Sequence, residues 1–284
     1  MYRLAGGRVH QVDSRCRRVS RWDHGGKPVS SNTVPAVLHS EWIKARSTVG
    51  SLVTLPLALV ISLGLALAGG LSTRNAIDSG SAMLASDFNP INSGFNALLY
   101  ANLAFVVFAV LVFSSEYTTG MIRASLAAVP TRGLFYLAKL AVVAGVALIV
   151  GGAAVIASFL ITQAALGPHG ASLSDPGAVR AVLGGVAYVV LINVFSAAVA
   201  ALLRSTALAL GILMPLFFVV GPALGTISGT KPVAQFLPDQ AGMRAMQVTT
   251  GSGELTAGQG ILVLLLWTLT AAAVGYWLIR RRNA

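Results

Sequence analysis

Six apolar runs, each long enough to cross a lipid bilayer, constrain this chain more than any other feature of its sequence. A membrane-spanning helix needs about 20 predominantly apolar residues. Runs of that kind occupy residues 49–71, 95–113, 140–166, 179–203, 208–227 and 260–279. Only 10% of the residues are charged, whereas soluble domains carry about 25%. The sequence therefore predicts an all-α membrane protein with six transmembrane helices.

The positions of Lys and Arg predict how the spans are oriented, because cytoplasmic loops are enriched in basic residues. With six spans, 16 of the 20 basic residues fall on the side that holds both termini and the loops after spans two and four. We therefore expect both termini to be cytoplasmic. Arg greatly outnumbers Lys, and Ala, Gly and Val are abundant, which we interpret as the coding bias of a high-GC bacterium. The expected location is a bacterial cytoplasmic membrane.

The chain divides into two parts by composition. Residues 1–34 are polar and basic and show no apolar periodicity, which predicts a disordered cytoplasmic tail. Residues 35–284 form the predicted six-span domain. The basic run RCRRVSR could contact nucleic acid or anionic lipid, but we favour a solvated tail. We expect the chain to contact membrane lipid and no specific nucleic acid.

A polar segment interrupts the apolar pattern between spans two and three, on the side predicted to be cytoplasmic. Read as a helix over residues 116–129, it places Glu116 and Arg123 on one face and Tyr117 on the opposite, apolar face. Gly120 would let another backbone approach closely. The segment is either a cytosolic helix that presents a charged face to a partner or an interfacial connector with solvated charges.

A second amphipathic segment, AVLHSEWIKARS at residues 36–47, leads into the first span. On a helix, Trp42 shares a face with Ala45, whereas Glu41 and Lys44 lie mostly away from that face. A Trp at headgroup level with flanking cations is typical of a helix lying in the membrane plane. The alternatives are an in-plane helix that also contacts a partner and an ordinary juxtamembrane anchor.

Three segments of the sequence resemble those of an ABC-2 type membrane permease, the transmembrane subunit of an ATP-binding-cassette exporter. They are SEWIKARS before span one, EYTTGMIRASLAAVPTR after span two, and LPDQAG in the last outer loop. The resemblance covers about residues 37–282. The residue after the glycine of the second segment is Met121, where the family often has Thr.

The resemblance implies a role for the polar segment as a coupling helix that docks on a separate ATPase subunit. Glu116, Gly120 and Arg123 are the positions carried over, with Tyr117 beside them. In the amphipathic helix at the entrance to span one, the corresponding candidates are Glu41, Trp42 and Lys44. The implied partners are an ABC ATPase and a second permease subunit, as a homodimer or a heterodimer.

The sequence lacks the motifs of an ATPase and of the common membrane enzymes. No G-x-x-x-x-G-K-[ST] loop is present, and neither GGKP nor GTKP satisfies it. The four His residues lie outside the predicted spans, no H-E-x-x-H motif exists, and the one Cys rules out an internal disulfide. We therefore expect no catalytic residue, metal or cofactor in this chain, and ATP hydrolysis in a partner subunit.

Two functions fit these observations. The first is an exporter permease powered by the ATPase partner, and the second is a membrane scaffold or signalling subunit that uses the same cytosolic helix without transport. No ionisable residue lies deep in a predicted span, so an ion-coupled carrier fits less well than an externally powered exporter. The neutral spans weakly favour an amphipathic or lipid-like cargo.

Expectations about packing concern glycine and proline. Gly151, Gly184 and Gly221 would allow close helix packing, either within the bundle or across a dimer. Pro215 and Pro222 should interrupt span five. By resemblance to similar permeases, the outer loop at residues 228–259 should contain short helices.

Overall fold

The computed structural model describes residues 34–80, 88–118, 120–122, 125, 131–227, 229–251 and 253–281. Residues 1–33 of the predicted tail, and Arg123, lie outside the described residues. In the described part the chain is helical and contains no strand. In chain order its α-helices are α1 (Val34–Ser47), α2 (Val49–Asp78), α3 (Pro90–Ser93), α4 (Asn96–Thr118), α5 (Arg132–Val146), α6 (Gly152–Leu166), α7 (Ala178–Leu203), α8 (Thr206–Pro215), α9 (Gly221–Thr226), α10 (Lys231–Ala234), α11 (Pro238–Arg244) and α12 (Ala257–Arg281).

The six predicted spans are confirmed, and the chain is a multi-pass membrane protein by length and composition of its helices. The candidate spans are Gly50–Asp78, Pro90–Thr118, Arg132–His169, Ala178–Leu203, Thr206–Thr226 and Ala257–Arg281. Several helices run past the ends of the apolar runs. In α2 the extra turns are held by an ion pair at i, i+4 between Arg74 and Asp78 at 3.6 Å. These polar turns can extend beyond the hydrocarbon layer. The apolar run is therefore shorter than the helix.

Spans three and five are each built from two α-helices joined by a short π-helical turn. Ala147–Gly151 connects α5 to α6, and Leu216–Val220 connects α8 to α9. In span five this turn lies between Pro215 and Pro222. Proline removes a backbone donor and clashes with the preceding turn, so the predicted interruption is confirmed and lies between the two prolines.

Helix α7 lies at the centre of the bundle and packs against α4, α5, α8, α11 and α12. Small residues on α7 allow this close packing. A Cβ atom at Gly184 would overlap the backbone oxygen of Ala245, and a Cβ atom at Gly151 would lie 2.5 Å from the Val189 side chain. These glycines therefore serve packing within the chain, one of the two roles that the sequence left open.

The two ends of the bundle differ in what they carry. One end, which we call the basic end, holds α1, the last turn of α4, the first turn of α5 and the last turn of α12, and it is the side predicted to be cytoplasmic. The other, which we call the loop end, holds the connection between spans five and six. That connection contains α10 and α11, so the expected short helices are confirmed.

Candidate functional site

Helix α4 continues through the polar residues that follow the second apolar run. The hydroxyl of Ser114 donates to the carbonyl oxygen of Val110 at 2.8 Å, which keeps this serine inside the helix. Glu116 and Tyr117 therefore lie in the last turn of α4, which ends at Thr118. The prediction that a separate helix begins at residue 116 is wrong, because Glu116 belongs to α4.

Gly120 ends the helix and does not lie in the interior of one. Its φ angle is +70°, a left-handed conformation that glycine adopts without the strain of a Cβ atom. Its N–H donates to the carbonyl oxygen of Tyr117 at 3.3 Å. A Cβ atom built at Gly120 would meet nothing within 4 Å. The close backbone approach that we predicted there is therefore not made within the described part of the chain.

Four charged residues form a closed set of ion pairs at the basic end. Glu116 Oε1 accepts from Lys139 Nζ at 2.9 Å and from Lys44 Nζ at 3.2 Å. Glu41 forms ion pairs with the same two lysines, with Lys44 at 2.7 Å and with Lys139 at 2.8 Å. We call these four residues the charge cluster. It joins α1, α4 and α5, which come together only in the folded bundle.

The charge cluster is buried from solvent apart from one lysine. The exposed fractions of Glu41, Lys139 and Glu116 are 3%, 2% and 8%, whereas the Lys44 side chain is 41% exposed. The Lys139 ammonium donates to Glu116 and to the carbonyl oxygen of Val112 at 3.1 Å, and it forms an ion pair with Glu41. A buried ammonium group is tolerated because it is paired and hydrogen-bonded.

Lys44 lies on α1, before the first span, and its charge is affected both by burial and by the neighbouring carboxylates. Partial burial opposes the charge of Lys44. The hydrogen bond that Lys44 donates to Glu41, together with the attraction of Glu41 and Glu116, outweighs that opposition and raises the pKa of Lys44 above its ordinary value. Lys44 therefore stays charged at neutral pH.

The buried face of α1 differs from the predicted one. We placed Glu41 away from the packing face, but Glu41 is buried together with Val37 and Ala45. Trp42 is half-buried beside Ala45, where it packs against the bundle. The prediction was wrong because amphipathic patterning places charged residues on the solvent face of a helix. Here two lysines neutralise the Glu41 carboxylate, so that it can face inward.

Lys139 was not predicted as a site residue from the sequence. It was counted only as a basic residue next to span three. The signal was an isolated lysine directly before a long apolar run, on a helix whose neighbouring positions are apolar. In the structure Lys139 lies inside the span that begins at Arg132. An ionisable residue in such a position is a functional candidate.

The polar segment after α4 has few described residues, and two contacts locate it. The ring of Tyr117 lies 5.5 Å from the guanidinium of Arg204 at the end of α7. The hydroxyl of Ser125 accepts from Lys44 Nζ at 3.3 Å. The segment therefore begins and passes beside the charge cluster, while the docking role of Tyr117 and Arg123 stays a prediction.

A cavity of about 290 Å³ lies against the charge cluster. Its lining combines Glu41, Lys44 and Glu116 with apolar side chains such as Leu111 and Met121. Glu116 Oε2 has no hydrogen-bond partner. Within the described residues, no group of three or more His, Cys, Asp and Glu side chains could hold a metal ion. The site therefore combines ion pairs shared by three helices with a partly apolar cavity.

Comparison with protein families gives a match. A family model described as "ABC-2 family transporter protein" matches residues 37–222. The matched region covers more than half of the chain and contains all four residues of the charge cluster. The comparison with curated proteins found no match.

Proposed function

The chain belongs to the ABC-2 family of transporters, and from this premise we propose that it is the membrane subunit of an exporter driven by a separate ATPase. The family works in general with an ABC ATPase partner. The chain has no phosphate-binding loop of its own. The proposal therefore assigns ATP binding and hydrolysis to the partner, and the conduit for the cargo to this chain.

One observation carries this proposal: the charge cluster ties the segment after α4 to two spans and to α1. Glu116 is the last charged residue of α4 before that segment, and it is paired with Lys139 on α5 and with Lys44 on α1. A force applied to residues 118–131 would reach spans two and three together. The contact with the ATPase is thus proposed for the segment itself, and Glu116 acts inside the chain.

The strength of the cluster fits that role. Moving a two-state equilibrium from 1:99 to 99:1 requires about 5.5 kcal/mol of differential binding. Breaking a buried ion pair by removing one partner costs about 3–5 kcal/mol. The two energies are comparable, so the cluster can hold α1, α4 and α5 together while ATP-dependent movement of the partner shifts the bundle. Bound ATP acts only through the difference in contact energy between the two states.

Direction and assembly follow from the same proposal. Two six-span subunits, identical or related, would face each other with two ATPases at the basic end, and cargo would leave at the loop end. In this arrangement the basic end faces the cytoplasm of a bacterial cell. The described spans carry mostly neutral polar residues, such as Asn102 and Asn193, which favours an amphipathic or lipid-like cargo over a small ion.

Arg123→Glu tests the docking surface, because it reverses a charge on the proposed contact segment without touching the charge cluster. Arg46→Glu is the matched control: Arg46 is an exposed basic residue at the same end, on α1. Each full-length variant is co-expressed with the candidate ATPase, and the amount of ATPase that co-purifies is measured, together with nucleotide turnover. We expect at least a 10-fold loss of bound ATPase for Arg123→Glu and little loss for Arg46→Glu.

Three outcomes would contradict the proposal. Equal ATPase recovery with both variants would refute docking through this segment. Nucleotide turnover by the purified chain alone would refute the assignment of hydrolysis to the partner. A bound partner that lacks nucleotide turnover would favour a scaffold or signalling subunit over an exporter.

A further inference from the structure

Asp239 is a fully buried carboxyl group at the loop end, in the first turn of α11. Its Oδ2 accepts a hydrogen bond from the side-chain amide of Gln240 at 2.8 Å. Its Oδ1 has no hydrogen-bond partner. The carboxyl group lies against the backbone of Gly221, directly after the π-helical turn of span five. A Cβ atom at Gly221 would lie 2.9 Å from Oδ1 and would overlap Oδ2.

Within the described residues, the cations of the loop end are engaged elsewhere. Lys231 pairs with Glu254 at 2.7 Å, and Arg244 pairs with the same carboxylate. Arg180 donates to the carbonyl oxygen of Gln247 at 2.7 Å. Glu254 therefore has two cationic partners and Asp239 has none.

The other titratable groups on the elements that pack against α11 do not supply a counter-charge. On α7 these groups are Arg180 and Tyr188, and the Tyr188 hydroxyl accepts a hydrogen bond from Asn102. Helix α9 carries none. Those of α12 lie in its last two turns, at the opposite end of the bundle: Tyr276, Arg280 and Arg281.

The two carboxyl groups of this loop consequently differ in how readily they ionise. Hydrogen bonding from Lys231 and Arg244 lowers the pKa of Glu254 to about 2. Burial without a cation raises the pKa of Asp239 to about 6. Glu254 remains ionised at any physiological pH, whereas Asp239 changes its charge near pH 6.

We propose that Asp239 is a proton-binding site reached from the loop end, and that the bound proton holds α11 against span five. With the proton bound, the carboxylic acid is neutral and can stay buried beside Gly221. When the proton leaves to water at the loop end, a buried negative charge remains that has no cationic partner among the described residues. That charge is relieved when α11 moves away from Gly221 and the carboxylate reaches solvent.

A proton fits this site better than a metal ion. The contact with the Gly221 backbone leaves little room for a cation beside the two oxygens. The Gln240 amide already directs an N–H donor at Oδ2, and such a donor repels a cation. No second carboxylate, Cys or His completes a metal-binding group among the described residues. The proposal is independent of ATP coupling, because it concerns the seating of one helix within this chain.

The test uses the full-length chain with Cys16→Ser, in lipid nanodiscs and without an ATPase. Infrared spectroscopy follows the carbonyl band of a protonated carboxylic acid between pH 4.5 and 8. Hydrogen–deuterium exchange of residues 238–246, corrected for the intrinsic effect of pH, reports the seating of α11. The variants are Asp239→Asn, which resembles the protonated acid, and the matched control Asp175→Asn, at an exposed carboxylate of the same end.

We expect the wild type and Asp175→Asn to lose the carboxylic acid band with a midpoint near pH 6, and Asp239→Asn to lack this transition. Exchange of α11 should rise with pH in the first two proteins and stay low in Asp239→Asn. The rise in exchange can reach about 100-fold, because the pKa of the buried Asp239 carboxyl group, about 6, exceeds its ordinary value of 3.8 by about two units.

The proposal is overturned if the wild type shows no carboxylic acid band that titrates between pH 5 and 7, a result that needs no variant. It is also overturned if Asp239→Asn retains the pH dependence of α11 exchange. If Na⁺ but not choline restores the protection of α11 from exchange at pH 7.5, the site binds a metal ion and not a proton.

Discussion

Replacing Lys139 by Met should destabilise the bundle far more than replacing an exposed lysine. Lys139 is 2% exposed, donates to Glu116 and to the Val112 carbonyl oxygen, and forms an ion pair with Glu41. Met fills a similar volume but provides no donor. It leaves Glu41 and Glu116 sharing only the half-exposed Lys44. Removing one partner from a buried ion pair costs about 3–5 kcal/mol, so we expect a loss of that size.

The matched control is Lys231→Met, which removes one lysine from the ion pair with Glu254 at the loop end. The Lys231 side chain is 48% exposed, and exposed ion pairs contribute about 0–1 kcal/mol. Both variants are unfolded reversibly in mixed detergent–SDS micelles. Tryptophan emission is followed, with Trp42 reporting on the docking of α1. The difference between the two free energies of unfolding is the quantity of interest.

A double-mutant cycle separates the ion pair from general damage. Glu41→Gln alone and Lys139→Met alone each leave the charge cluster with one unbalanced charge, whereas the double variant keeps one lysine and one glutamate, which balance each other. The cycle should therefore show a coupling energy at the upper end of the ~0.5–3 kcal/mol range for contacting residues. Additive effects, or a Lys139→Met loss no larger than that of Lys231→Met, would refute the account of the charge cluster.

Three further predictions concern single positions. Gly120→Ala places a Cβ atom at a φ of +70° and should cost about 1–2 kcal/mol, measured as faster hydrogen exchange in the last turn of α4. Tyr188→Phe removes the hydroxyl that accepts from Asn102 at 3.3 Å and should cost about 1 kcal/mol in the free energy of unfolding. The fold raises the pKa of Asp239 from 3.8 to about 6, so the folded state binds more protons and loses stability as pH rises through that window. Asp239→Asn should therefore stabilise the chain by up to about 3 kcal/mol at pH 7.5 and by little at pH 4, in unfolding curves at both pH values.

The number and order of the spans could be predicted from the sequence, because the length of an apolar run is a local property. The interruption of span five could be predicted for the same reason, since Pro215 and Pro222 act on their own backbone. The ends of the helices could not. Arg74 and Asp78 extend α2, and Ser114 keeps α4 helical beyond the apolar run.

The charge cluster could be predicted only in part. Glu41, Lys44 and Glu116 were candidates, but as residues that face solvent or a partner. Their burial depends on pairing across the fold: Lys139 is separated by 23 residues from Glu116 and is far more distant in sequence from Glu41. Local periodicity contains no information about such a partner, and the same holds for the burial of Asp239 against Gly221.

The π-helical turn Leu216–Val220 has a consequence for the angular phase of span five. A helical residue advances about 100° around its axis, and a π-helical turn accommodates one residue more than regular winding would. Winding this turn as a regular α-helix with all of its residues kept would rotate α9 by about 100° relative to α8. Gly221 would then no longer face Asp239, so the π-helical turn, by taking up one residue, sets which side of the span meets α11.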